Sequence, residues 1–293
     1  MLGGLLRTMR PHQWVKNVFV LAPLVFAQKL DDLAVAARAG AGFVLFCLLA
    51  SAIYVLNDLV DIEQDRLHPV KRNRPIASGR VSVEAARIAL GVLAVIALAG
   101  GVLLGWSFLA TFVGYLALNL AYSFKLKRLP YVDVLCIAGG FELRVLAGAY
   151  AADVPASTYL LVVTFLLASF LGLGKRLHEL VSAGVRDGSA GKTRAALRAY
   201  DPRILTALLL TTGLSTVATY AAYTFDPHTV AMFGTPWLPV TTIFMLFGIL
   251  RFVHLVRRHA EAESPTEAML RDVPFIANGI IGAIVVLALI YAT

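Results

Sequence analysis

Asn57, Asp58, Asp61 and Asp65 fall in the run NDLVDIEQD at the end of a long apolar stretch, and Lys71, Arg72 and Arg74 follow at once. On a helix turning 100° per residue, Asp58, Asp61 and Asp65 lie within about 60° of one another, and Asn57 widens the arc to about 100°. Glu63 points to the far side. Like charges gathered on one stripe repel, so they favour a divalent cation. Mg²⁺ takes oxygen ligands and keeps positions open for phosphate oxygens. The adjoining cations suit the same diphosphate. A solvated acidic helix end is the plainer reading, but it leaves the basic run unexplained. The spacing therefore predicts Mg²⁺ on Asn57, Asp58, Asp61 and Asp65, with the three aspartates as catalytic groups. Lys71, Arg72 and Arg74 are the nearest candidates to bind substrate.

Other polar residues interrupt apolar stretches. Tyr54 and Ser51 lie on the face of Asp58, one and two turns deeper, and either line the floor of a polar cavity or make ordinary helix contacts. Lys175, Arg176 and Glu179 read as a loop after an apolar segment; their spacing puts them on one helix face, as phosphate ligands or as a basic anchor with an ion pair. Arg194, Arg198 and Tyr200 continue that loop and suit a lid over an anion or a solvated amphipathic helix. Asp133, Gly140 and Arg144 share a stripe with Glu142 nearly opposite, and charges inside an apolar segment face a cavity or a partner helix. Trp14 and Arg10 suit a membrane interface. Lys16 and Asn17, at the threshold of a span, reach toward the same cavity. Tyr122, Lys125 and Lys127, just before Asp133, complete the substrate-binding candidates.

Composition explains what must hold these groups. The 293 residues are 59% hydrophobic and only 15% charged, with mean hydropathy +0.77; a soluble protein carries roughly 25% charged residues. The chain reads as an all-α, polytopic membrane protein of one domain, residues 1–293, with no cleavable signal peptide expected. Nine apolar segments run at about 14–30, 37–60, 84–104, 107–124, 131–150, 157–175, 203–223, 237–256 and 274–292. All Lys and Arg residues except Lys29, Arg38 and Arg144 then fall at the N-terminal side of the bundle. The positive-inside rule makes that side cytoplasmic and puts the C-terminus opposite. The net charge of +8 fits topology and anionic substrates rather than nucleic acid. Cys47 and Cys136 lie in apolar segments and read as packing residues. Zinc-ligand spacing, a nucleophile elbow, a Walker loop and a dinucleotide fingerprint are all absent.

The run Asn57-Asp58-x-x-Asp61-x-x-x-Asp65, then Arg74-Pro75-x-x-Ser78-Gly79, in a nine-span chain, resembles the UbiA superfamily of intramembrane prenyltransferases. The resemblance implies Mg²⁺ and a diphosphate at the cytoplasmic mouth of a helical bundle. That family's second motif, Asp-x-x-x-Asp, is replaced here by Lys175-Arg176-x-x-Glu179. Three segments look closer to the branch that uses phosphoribosyl diphosphate as donor and a polyprenyl (decaprenyl) phosphate as acceptor: Arg-Pro-His-Gln-Trp-Val-Lys-Asn at 10–17, Gly174-Lys175-Arg176-x-x-Glu179, and Asp133 with Glu142-x-Arg144. By that resemblance the chain is a plasma-membrane enzyme making a precursor of cell-wall arabinan, and its partners are its substrates and membrane lipids. Two alternatives stay open: a polyprenyl-diphosphate-dependent aromatic prenyltransferase of the 4-hydroxybenzoate type, and a non-catalytic lipid transporter. A homo-oligomer is also left open.

Overall fold

The computed structural model describes residues 2–185, 199–258, 268–269 and 271–291. Arg194 and Arg198, read as part of a lid or of a solvated amphipathic helix, lie outside them. Among the described residues every regular element is helical. In chain order the helices are α1 (Leu2–Met9), α2 (Ala22–Phe26), α3 (Leu33–Val60), α4 (Ile62–Leu67), α5 (Val83–Leu104), α6 (Trp106–Phe124), α7 (Val132–Ala152), α8 (Thr158–Val185), α9 (Pro202–Phe225), α10 (Pro227–Phe233), α11 (Thr242–Arg258) and α12 (Val273–Tyr291). Seven of these stretches are long and apolar enough to cross a membrane, in α3, α5, α6, α8, α9, α11 with its preceding turn, and α12.

The other two expected spans differ from the seven. Helix α7 has the length, 21 residues, but carries Asp133, Glu142 and Arg144. The first expected span is not one α-helix. Residues Pro11–Leu21 wind as a 3₁₀ helix, and only Ala22–Phe26 continue as α. Runs of 3₁₀ beyond three or four residues are uncommon, so outside contacts must hold this one. It has Pro11 at its first position, and Arg10 before it takes a left-handed conformation, φ 54° and ψ 59°.

The chain divides into two compact units, Met1–Ser123 with Leu143–Ala156, and Phe124–Glu142 with Ser157–Thr293. In the first, α3 packs against α5 and against the 3₁₀ segment. Its core joins Val20, Phe46, Leu49, Ile53, Phe108, Phe112 and Tyr115 to Ala147 and Ala151. Phe46 meets Phe112 edge-on, with ring centroids 5.2 Å apart, a favoured aromatic geometry. Gly148 admits the Val20 backbone: a Cβ there would overlap the Val20 carbonyl.

In the second unit, α8 packs against α9, and α11 lies on both. Phe170, Leu173, Leu177, Leu205, Leu209, Ile249 and Phe252 form its core. Here the segment from Gly172 to Glu179, expected as a loop, lies inside α8. Its glycines do not break the helix because packing uses them. A Cβ on Gly174 would run into the Phe252 ring, the small-residue contact typical of membrane helices.

Candidate active site

Helix α3 reaches Val60, and Asp61 (φ −89°, ψ 6°) links it to α4. The break is shallow. The Asp61 N–H still donates to the Asn57 carbonyl at 2.9 Å, and the Asp65 N–H donates to the Asp61 carbonyl at 2.8 Å. The aspartate stripe therefore continues across the junction. Asp58 and Asp65 are buried, Asp61 is half-buried and Glu63 is exposed.

The Arg74-Pro75-x-x-Ser78-Gly79 motif is a folded turn that aims Arg74 at this stripe. The Ser78 N–H donates to the Arg74 carbonyl at 2.9 Å, and the Val81 N–H donates to the Pro75 carbonyl at 2.9 Å. Gly79 supplies φ 77°, a conformation costly for other residues. Ile76 and Val81 anchor the turn among buried residues of α3 and α5. One nitrogen, Arg74 Nη1, donates to Asp65 Oδ2 at 2.6 Å and to Asp58 Oδ1 at 3.2 Å. Arg10 Nη2 donates to the same Asp58 Oδ1 at 2.6 Å, and its guanidinium lies 5.0 Å from the centroid of the Tyr54 ring. Lys71 and Arg72 are exposed in a 3₁₀ turn.

The donor set suits a hard cation. Among the described residues no three His, Cys, Asp or Glu side chains are gathered closely enough to hold a metal ion as they stand. The reason is visible: Asp58 and Asp65 are turned onto arginine. Yet a single Arg74 nitrogen already shares its positive charge between two carboxylates, so Asp58 and Asp65, with Asp61 beside them, fit Mg²⁺ in chemistry and charge.

The 3₁₀ segment runs antiparallel along α3. Arg10 meets Asp58, the Trp14 indole N–H donates to Ser51 Oγ at 3.0 Å, Asn17 Nδ2 donates to Cys47 Sγ at 3.3 Å, and Val20 packs at Gly42. Ser51, read as a cavity floor or as an ordinary helix contact, is covered by Trp14 and donates to the Cys47 carbonyl at 2.8 Å. Trp14 is bonded within the fold rather than serving only as an interfacial anchor. Asn17 is not brought to the aspartates: its Oδ1 accepts from Arg144 Nε at 2.8 Å. Arg144 Nη2 donates to the Tyr115 hydroxyl at 2.6 Å, and the guanidinium also lies over the Tyr115 ring. Arg144 is therefore a buried cation held by an amide and a phenol. Lys16 and Tyr122 are half-buried.

The second unit holds its own cluster. Arg176 Nε lies 2.6 Å from Asp133 Oδ2, a charge contact without hydrogen-bond alignment, and Arg176 also pairs with Glu179. The Tyr200 hydroxyl donates to Asp133 Oδ1 and accepts from the Tyr131 N–H at 2.8 Å. Burial, and then the bond to Asp133, push the Tyr200 phenol well above its usual range, which keeps it a donor. Arg176 is 1% exposed, an enclosure that fits the ion pair of the sequence reading and not a solvent-facing phosphate ligand. Lys175, its neighbour, is half-buried, Lys127 likewise, and Lys125 is exposed. Glu142 makes no pair with Arg144; its Oε1 is buried without a hydrogen-bond partner. Sequence reasoning missed the roles of Arg10, Tyr115 and Tyr200. A spacing of three through Pro11, Trp14, Asn17 and Val20 was the available signal for the first.

The description "UbiA prenyltransferase family" matches residues 18–279. A decaprenyl-phosphate phosphoribosyltransferase of Mycolicibacterium smegmatis is 35% identical over 282 residues, 93% of this chain and 87% of that protein. One from Corynebacterium glutamicum is 36% identical, covering 92% and 81%. A solved UbiA homolog from Archaeoglobus fulgidus bound to GPP and Mg²⁺ superposes with TM-score 0.68 at 21% identity, covering 99% and 98%. With its apolar helices and its aspartate motif, this chain is a multi-pass membrane protein that belongs to the UbiA prenyltransferase family.

Proposed function

We propose that the chain transfers the 5-phosphoribosyl group of phosphoribosyl diphosphate to a polyprenyl phosphate and releases diphosphate. Similarity across more than nine-tenths of the chain to two decaprenyl-phosphate phosphoribosyltransferases carries this reading. The bond between the anomeric carbon and the diphosphate oxygen breaks, its electron pair leaving with diphosphate. A lipid phosphate oxygen forms the new bond. The attacking phosphate is already an anion, so the reaction asks for no strong general base. That agrees with a site made of carboxylates and cations.

Asp58, Asp61 and Asp65, with Asn57 at the margin, would hold Mg²⁺. The bound ion supplies neutralisation of the charge that builds on the departing diphosphate. Bringing two anions together demands further cations. In the first unit Lys16, Lys71, Arg72 and Arg74 serve this end, and Tyr54 and Tyr122 line the approach. Asn17 and Arg144 act from the buried knot behind it. In the second unit Lys175 is the phosphate ligand, helped by Lys125 and Lys127. Asp133, Arg176 and Glu179 fix the helix turn that presents Lys175. The motif-bearing end of α3 and the N-terminus face the cytoplasm of a plasma membrane, and the product feeds cell-wall arabinan synthesis.

The test is transfer of label from phosphoribosyl diphosphate into the lipid fraction by purified protein given polyprenyl phosphate. Transfer that needs Mg²⁺ and stops with chelator is the expected result. No label in lipid, with prenylation of 4-hydroxybenzoate from a polyprenyl diphosphate instead, would replace this reading with the aromatic one.

A further inference from the structure

We infer that Arg10 and Arg74 are resident counter-ions of Asp58 and Asp65 which a divalent cation displaces, and that the freed guanidinium groups then bind the donor's diphosphate. The inference rests on the metal reading above and gives these arginines two successive partners.

Three observations carry it. The first is crowding. Asp58 Oδ1 receives both Arg10 and Arg74, and one Arg74 nitrogen bridges Asp58 to Asp65. Buried carboxylates need a positive partner, and here two arginines supply it at the atoms a metal would use. The second is the asymmetry of exposure. The carboxylates are 3% exposed, whereas Arg10 and Arg74 are 27% and 28% exposed. The anions are fixed and the cations have an open side to swing toward. The third is backbone strain. Arg10 is left-handed, φ 54°, although side-chain-bearing residues avoid that region and a residue before proline is driven to extended conformations. Main-chain bonds from the Arg10 N–H to the Arg7 carbonyl at 3.3 Å and from the Gln13 N–H to the Arg10 carbonyl at 2.9 Å brace it there, and the contacts to Asp58 and Tyr54 add to them, so giving up those contacts removes part of what offsets the strain. Once turned out, a planar guanidinium fork matches phosphate oxygens. Metal and diphosphate then strengthen each other's binding, and linkage makes that effect reciprocal.

The test titrates Mn²⁺ into purified protein without donor, then inorganic diphosphate into the Mn²⁺-loaded protein, by calorimetry. Arg10→Gln removes a competitor for Asp58. Its Mn²⁺ affinity rises on the order of tenfold if the arginine-free state of the wild type is about one-tenth populated. Diphosphate then binds the loaded variant several-fold more weakly than the loaded wild type. Arg10→Lys keeps a charge but loses the fork; it gives intermediate values and serves where Arg10→Gln does not fold. Unchanged Mn²⁺ affinity in the Arg10 variants and in Arg74→Gln, with binding lost in Asp58→Asn, overturns the displacement and leaves the metal site standing. Wild-type protein that binds no Mn²⁺, or Asp58→Asn that binds as wild type does, overturns both.

Discussion

Asp58 and Asp65 in one unit, and Asp133 and Glu179 in the other, are each joined by an arginine, Arg74 and Arg176. Arg74 is 28% exposed and Arg176 is 1% exposed. The first cluster has two arginines on two aspartates and a third aspartate, Asp61, beside them. The second has one arginine between two carboxylates, with the Tyr200 hydroxyl donating to Asp133 Oδ1. A cation with an open side can be exchanged for another. One enclosed on every side cannot leave without stranding its partners in a poor solvent for charge. Similar residue types thus stand in different surroundings, and Arg74, unlike Arg176, keeps an open side.

Substitutions in either cluster test whether its enclosure sets its role. Asp58→Asn should lower Mg²⁺-dependent turnover by on the order of 10³-fold while the melting temperature stays near wild type. Full activity would make the first cluster structural like the second. Arg176→Ala should cost about 3–5 kcal/mol of stability, because Asp133 is left charged and enclosed. Thermal unfolding measures this, and a stable variant that merely loses donor affinity would put Arg176 in the class of Arg74. Gly148→Ala should destabilise by about 1–3 kcal/mol through overpacking, since its Cβ meets the Val20 backbone rather than a yielding side chain. An unchanged melting profile would mean that the 3₁₀ segment is held elsewhere. Glu63→Gln touches only the exposed pair with Arg66 at 3.0 Å and should leave both activity and melting unchanged, as surface pairs contribute little.

Much of this was legible in the residues. The helical class, the aspartate stripe and its cationic neighbour Arg74 follow from apolar length and a period of 3.6. So does the common face of Ser51, Tyr54 and Asp58. What the pattern could not disclose was long-range pairing. Arg10 looks like any basic flank until the chain folds it back 48 positions to Asp58. Asn17 and Arg144, 127 positions apart, each look like a lone polar intrusion. The segment from Gly172 to Glu179 reads as a loop because polar residues and glycines usually end a helix; it continues where Val134 packs at Gly172, the Phe252 ring packs at Gly174 and Arg176 finds carboxylate partners. The first span misled for a related reason, since hydropathy measures apolar length and is blind to winding.

That winding has a metric consequence. Three residues per turn put Trp14, Asn17 and Val20 on a single line, and about 2.0 Å per residue lays the ten steps from Arg10 to Val20 over roughly 20 Å. The sixteen steps of α3 from Asp58 to Gly42 measure about 24 Å. Wound as an α-helix, the same ten steps would reach only about 15 Å, and Trp14, Asn17 and Val20 would fan out through about 120°. The amino-terminal strap is a ruler whose long rise per residue sets where along α3 its first arginine falls.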